Sequence, residues 1–187
     1  VYRSLLADLQ RWKGRASRKP LVLRGARQVG KTFLVRELAR ESFGHLLELN
    51  FERDPARAAL FEGGDPQEIL RRLELLSGQR IEPGRTLLFL DEIQAAPRVL
   101  ATLRYFFEEL PELHVIAAGS LLDLALAETA HAMPVGRIEF AHLQPLRFTE
   151  FLRWLGRATL AEWIESYRLS EEIPSAIHDE LLAELRA

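Results

Sequence analysis

Two rhythms of apolar residues alternate along the 187-residue chain. Leu5, Leu6, Leu9 and Trp12 recur at helical spacing, so an amphipathic helix opens the sequence. "LVLRG", Leu21 to Gly25, is a short apolar run ending in a glycine, the pattern of a buried strand entering a loop. Lys31 to Glu41 returns to helical spacing, with Phe33, Leu34, Val35 and Leu38 available for packing. His45 to Glu52 reads as a second strand. Asp54-Pro55 and Asp65-Pro66 each set an Asp N-cap before a proline at the first helical position, and Glu68 completes a capping box with Asp65. The second of these helices is expected to turn Ile69, Leu70, Leu73 and Leu76 inward and to stop near Gly78.

Past the Pro83-Gly84 turn, Leu87 to Leu90 are continuously apolar, as in a strand covered on both faces. Pro97 to Leu110 carries Leu100, Leu103, Phe106, Phe107 and Leu110 on one helical stripe, and Pro111 ends it. "LHVIAAGS" reads as a fourth strand, Leu121 to Ala127 as a short helix, and "GRIEFAHLQPL" contains a fifth strand. From Phe148 onward the pattern is helical throughout. Strand–helix alternation through residue 145 is the signature of βαβ units. The expected fold class is therefore α/β: a three-layer sandwich with a mainly parallel five-stranded sheet, helices on both faces, and a helical tail. Residues 1–147 form the expected core domain. Residues 148–187 form a helical segment, either a lid or the start of a further region.

The glycine loop after the first strand carries the chemistry. Gly25-Ala26-Arg27-Gln28-Val29-Gly30-Lys31-Thr32 fits G-x-x-x-x-G-K-[ST] at every fixed position. Such a loop wraps phosphates with backbone N–H groups, and glycines permit the dihedrals and the close approach. The helix that follows aims its free N–H groups and positive dipole end at the same anion. Lys31 supplies a cation for the β- and γ-phosphates, and the Thr32 hydroxyl is a ligand for Mg²⁺. The expected nucleotide-binding set is Gly25 to Thr32 together with Phe33. This loop makes the fold that of a P-loop NTPase.

A phosphate loop needs a metal partner, normally an acid at the end of a buried strand. "LLFLDE" offers Asp91 for the metal, beside Thr32, and Glu92 as the general base that activates water. A metal ligand followed by a base suits hydrolysis; a small-molecule kinase has less need of that base. Room remains for an extra strand between the two motif strands. The motif alone admits GTP as well as ATP, but no guanine-specific N-K-x-D sequence is present.

Composition narrows the picture only a little. Formal net charge is -2, from 25 basic and 27 acidic residues, which argues against a globally basic nucleic-acid binder. The basic cluster Arg11, Lys13, Arg15, Arg18 and Lys19 is either a solvated face or a contact to phosphate. There is no cysteine, hence no disulfide or thiolate metal site. The five histidines lack ligand spacing. Trp154 and Trp163, on helical spacing, are expected in a core. No apolar run reaches the ~18 residues of a membrane helix, and the N-terminus has no signal-peptide region. The expectation is a cytoplasmic protein without a membrane partner. A start at Val1 and an end at Ala187 inside a helical pattern suggest a piece of something longer.

The stretches "WKGRASRKPLVLRGARQVGKT", "LLFLDEIQAAPRVLATLRYFFEELPELHVIAAGSLLDLAL", "PVGRIEFAHLQPLRFTEFL" and "AIHDELLAELRA" resemble the AAA+ superfamily of P-loop ATPases. More narrowly, they resemble bacterial and archaeal AAA+-type ATPases whose ATPase domain precedes a C-terminal domain of unknown function. The resemblance implies ATP and Mg²⁺ as ligands and adds three positions. Ser120 matches the place of a polar sensor of the γ-phosphate, although "SLLD" is also an ordinary N-cap pattern. Arg137 lies where AAA+ proteins carry an arginine finger that acts on the adjacent subunit's nucleotide, which would require a homo-oligomer; it is otherwise a surface arginine. Asn50 either restrains Glu92, as a polar residue there does in many AAA+ proteins, or simply ends a strand.

The leading functional expectation is a Mg²⁺-dependent ATPase that couples ATP binding and hydrolysis to conformational change in a larger protein. Two rivals share the loop: a nucleotide-gated switch with little turnover, and a small-molecule phosphotransferase. The nucleic-acid or protein partner is left unnamed by the sequence.

Overall fold

A computed structural model of the chain describes residues 3–120, 122, 134 and 136–186. The expected helix Leu121–Ala127 lies outside the described residues, apart from Leu122, as does His131. Five strands form one sheet: β1 (Leu21–Arg24), β2 (His45–Asn50), β3 (Thr86–Asp91), β4 (His114–Gly119) and β5 (Glu139–His142). Their order across the sheet is β2-β3-β4-β1-β5, and every neighbouring pair is parallel. This is the P-loop NTPase fold. β4 occupies the place between the two motif strands β1 and β3.

Parallel pairing demands crossovers, and the helices supply them on both faces. On one face, α1 (Leu5–Gly14) and α2 (Lys31–Ser42) cover Leu21, Leu23, Leu87, Phe89, Ile116 and Ala118. On the other, α3 (Pro66–Ser77) and α4 (Pro97–Glu109) cover Val22, Leu47, Leu49, Leu88, Leu90, Val115 and Ala117. The period-2 alternation of strand side chains thus sends odd residues of β3 toward α2 and even ones toward α4. All six residues of β3 are buried, which explains its unbroken apolar run. A side chain such as Phe89, fully removed from water, contributes on the order of 1.5–3 kcal/mol.

The starts and ends of the helices follow the sequence signals in part. Asp65 caps α3, accepting from Gln67 N and Glu68 N, while the Glu68 side chain pairs with Arg72 instead of closing the box. Gly78 ends α3 in the left-handed conformation, φ +66°. Asp54 makes no side-chain cap, and Pro55–Phe61 is a 3₁₀ helix and not an α-helix. Leu76, expected inward, is 54% exposed, on the last turn of α3 just before the helix ends at Gly78.

The segment from Leu146 onward, with Arg3 and Ser4, is compact in itself and separate from Leu5–Pro145. It holds α5 (Phe148–Trp154), α6 (Ala158–Ser166) and α7 (Ser175–Arg186). Glu150 anchors it, pairing with Arg3 and accepting from the Ser4 backbone and hydroxyl. Trp154, expected in a core, is 56% exposed, with its ring tilted against that of Phe151 at 6.0 Å between centroids.

Candidate nucleotide site

The loop leaves β1 at its C-terminal end, where a parallel sheet opens its ligand crevice. Gly25 has φ +152°, and a Cβ there would lie 2.4 Å from the Leu143 carbonyl oxygen, so only glycine fits. Gln28 is left-handed at φ 64°, and Gly30 is left-handed at φ 93°. Gly30 forms the N-cap of α2 with no side chain capping the helix, which leaves its first N–H groups for an outside acceptor. Phe33 is exposed on the first turn of α2, in contrast to the buried Leu34, Val35 and Leu38.

Lys31 is 7% exposed, and its ammonium is folded back into the loop, donating to the carbonyl oxygens of Ala26 at 2.8 Å and Gly25 at 3.0 Å. Burial lowers its pKa, while the negative charges of Glu92 and Asp91 oppose the shift. Arg27 points out of the loop and pairs with Glu52 at 3.0 Å on the surface.

Asp91 is the last residue of β3, and the alternation that turns Leu87 and Phe89 toward α2 turns Asp91 the same way. There the Thr32 hydroxyl donates to Asp91 Oδ2 at 3.0 Å. Register places Asn50 directly beside Asp91, and its amide donates to the same oxygen at 3.2 Å. Of the two readings of Asn50, restraint of Glu92 is not what its bonds show: it serves Asp91, and its own oxygen accepts from Arg53 N. Asp91 is 2% exposed, and burial raises its pKa, with the Thr32 hydrogen bond opposing and the Glu92 charge adding to the rise.

Glu92 adopts a left-handed backbone, φ 53° and ψ 46°, a conformation disfavoured without glycine. The chain turns back at once through a 3₁₀ turn, Ile93–Ala95, and Gln94 Nε2 donates to Glu92 Oε2 at 2.5 Å. Ser120 follows β4 directly and is buried.

Arg137 stands elsewhere. Glu139 pairs with Leu21 at the first position of β1, so Arg137 precedes the beginning of the strands, whereas the phosphate loop leaves their far end. Its guanidinium donates to Glu108 of α4 at 2.7 Å, and both side chains are exposed. Four of the five basic-cluster residues are engaged within the chain: Arg11 with Asp8, Lys13 with the Ser42 carbonyl, Arg15 with Glu139, and Arg18 with the Glu112 carbonyl.

A family model described as an AAA domain matches residues 17–152, a span that contains the loop, the acid pair and the whole sheet. The chain belongs to the AAA domain family. As an AAA domain it carries the general nucleotide-binding ATPase character of that family. No curated protein matches it. Among solved structures, this AAA domain is similar to the ORC2 protein of Aeropyrum pernix in its ADP form, with a TM-score of 0.51 and 19% identity over 84% of this chain and 52% of that one. It is also similar to the ORC1 protein of Aeropyrum pernix in complex with DNA, with a TM-score of 0.51 and 16% identity over 99% of this chain and 66% of that one. At such identities the likeness is one of fold. The AAA domain spans roughly half to two thirds of the length of those two proteins.

Sequence reasoning passed over Gln94. The signal was the spacing in "DEIQAAP": a polar residue two positions after the acid and three before a helix-starting proline, where the chain must bend back. Among the described residues no helix is long and apolar enough to cross a membrane.

Proposed function

We propose that this AAA domain binds ATP with Mg²⁺ on the loop Gly25–Thr32 and hydrolyses it, passing the resulting conformational change to the rest of a larger protein. The observation that carries the reading is the 3.0 Å bond from Thr32 to Asp91, which joins the two motifs across 59 positions of sequence. The residues present fit both ligands. The start of α2 is uncapped, leaving its first N–H groups for an anion, and the buried Lys31 ammonium lines the loop. Two hard oxygen donors, Thr32 Oγ1 and Asp91 Oδ2, are adjacent, as an oxygen-loving divalent ion requires. Bound Mg²⁺ would supply charge neutralisation on the β- and γ-phosphates.

The chain's own groups then divide the work. Loop N–H groups hold the phosphates, and Lys31 exchanges its two carbonyl partners for phosphate oxygens. Glu92 takes a proton from a water molecule as its oxygen bonds to the γ-phosphorus and the bond to ADP breaks, giving ADP and phosphate. Ser120, beside β3 at the end of β4, is the candidate sensor of the γ-phosphate. Arg137 lies at the end of the sheet away from its own loop, so any role as an arginine finger would be played on a second copy of the chain. Glu92→Gln should retain a fluorescent ATP analogue and lose most turnover, while Lys31→Ala should lose the analogue. Undiminished turnover in Glu92→Gln would overturn the assignment of the base.

A further inference from the structure

The Gln94 side chain touches two parts of the site that its position in the sequence does not connect. Its Nε2 donates to Glu92 Oε2 at 2.5 Å. Its Oε1 is buried without a hydrogen-bond partner among the described residues and rests against Gly119, where an added Cβ would stand only 2.4 Å away. The orientation of the amide follows from chemistry, because a carboxylate accepts and only the NH₂ end of the amide donates. Satisfying Glu92 therefore leaves the carbonyl end without a donor. A buried acceptor left in that state is unfavourable, so the arrangement persists against a local cost.

The alternative restraint is occupied elsewhere, since Asn50 bonds Asp91. Glu92 directly follows Asp91, whose carboxylate accepts from Thr32 beside the phosphate loop. The left-handed backbone at Glu92 and the 3₁₀ turn after it bring Gln94 back to its own neighbour two residues earlier.

We propose that Gln94 is the positioning residue of the general base: its amide holds the Glu92 carboxylate at the phosphate site, and Gly119 at the end of β4 sets where that amide sits. This rests on Glu92 being the base. β4 lies between the two motif strands and leads into Ser120, so a shift at the strand end is transmitted to Glu92 through one side chain.

The test uses steady-state ATPase kinetics, titration with a fluorescent ATP analogue, and thermal melting. Gln94→Met keeps the length of the side chain and removes the donor. It should lower kcat at least tenfold, leave KM and analogue affinity within twofold, and leave the melting temperature unchanged or raised, because the unpaired acceptor is gone. Gly119→Ala should lower kcat similarly by displacing the Gln94 carbonyl, and the double variant should be no slower than the slower single variant. If Gly119→Ala does not fold, Gln94→Glu serves instead, since it preserves shape and turns an acceptor toward Glu92; it should fall at least as far as Gln94→Met. Wild-type kcat in Gln94→Met, or a loss shared equally by nucleotide affinity, overturns the proposal. Glu92→Gln separates the two readings. If Glu92→Gln retains turnover, the base assignment has failed. If it is inactive while Gln94→Met is fully active, only the role of Gln94 has failed.

Discussion

The Thr32 hydroxyl on α2 donates to Asp91 Oδ2 at the end of β3, at 3.0 Å. A hydroxyl and a buried carboxylate in that relation are the pair we propose as ligands for a divalent ion. Thr32→Val preserves shape and removes the donor oxygen. The strengthening of ATP-analogue binding by Mg²⁺ should drop at least about tenfold in this variant, measured as the ratio of affinities with and without the ion. Stability without nucleotide should change by only about 1 kcal/mol, because Asn50 still donates to Asp91.

Gly25 tests the shape of the loop independently of its charges. Gly25→Ala places a methyl group against the Leu143 carbonyl oxygen, on a backbone at φ +152°. The expected outcome is loss of analogue binding together with a destabilisation of roughly 1–3 kcal/mol, read by chemical denaturation. An unaffected melt with normal binding would mean that the β5–loop contact yields easily.

Arg137 makes a prediction about assembly. Arg137→Ala should leave analogue affinity intact, since the residue is remote from its own loop. If it completes a neighbour's site, turnover per chain of the wild type should rise with protein concentration. Mixing Arg137→Ala with Lys31→Ala should then restore activity that neither has alone, one copy supplying the finger and the other the loop. No recovery on mixing, with Arg137→Ala fully active by itself, would return Arg137 to the status of a surface partner of Glu108.

His114 governs part of the acid stability. It is buried at the start of β4, edge-on to Trp12 and Phe43, with Nε2 on the Lys13 carbonyl at 3.2 Å. Since a carbonyl accepts, Nε2 carries the proton, and Nδ1 is left to face Arg18. Burial pulls its pKa down from 6.5 to about 4; the Lys13 carbonyl resists, and the charges of Arg18 and Lys13 add to the fall. A depressed folded-state value means that the neutral ring stabilises the fold fully above pH 6.5, and the contribution is lost as pH falls through about 4. The loss should reach up to about 3 kcal/mol, and His114→Phe should flatten that limb of a stability–pH curve.

The sequence made the loop and all five strands readable, because both are fixed by local spacing: short apolar runs, a proline or glycine at each break, and a rigid motif. The order of the strands was not readable in the same way. That His114–Gly119 enters between β1 and β3 depends on crossovers that carry no local mark. The hydrogen-bond partner of Asn50 follows from register, which sets it beside Asp91 and one residue short of Glu92. Gln94 escaped because the left-handed turn at Glu92 that brings it round has no glycine to announce it. Leu76 and Trp154 misled for a simpler reason: periodicity says which residues share a helix face, but not how far the covering surface extends.

The two carbonyl bonds made by Lys31 have a consequence for the cycle of the domain. The ammonium fills the hollow with its own charge, so Gly25 and Ala26 are drawn around it as they would be around a guest. A loop braced in this way is a socket with a built-in dummy plug. On the proposed function, arrival of a nucleotide would swap partners for the lysine instead of ordering a slack chain, and departure of the product would let the plug fall back, so the domain would return to its starting shape unaided.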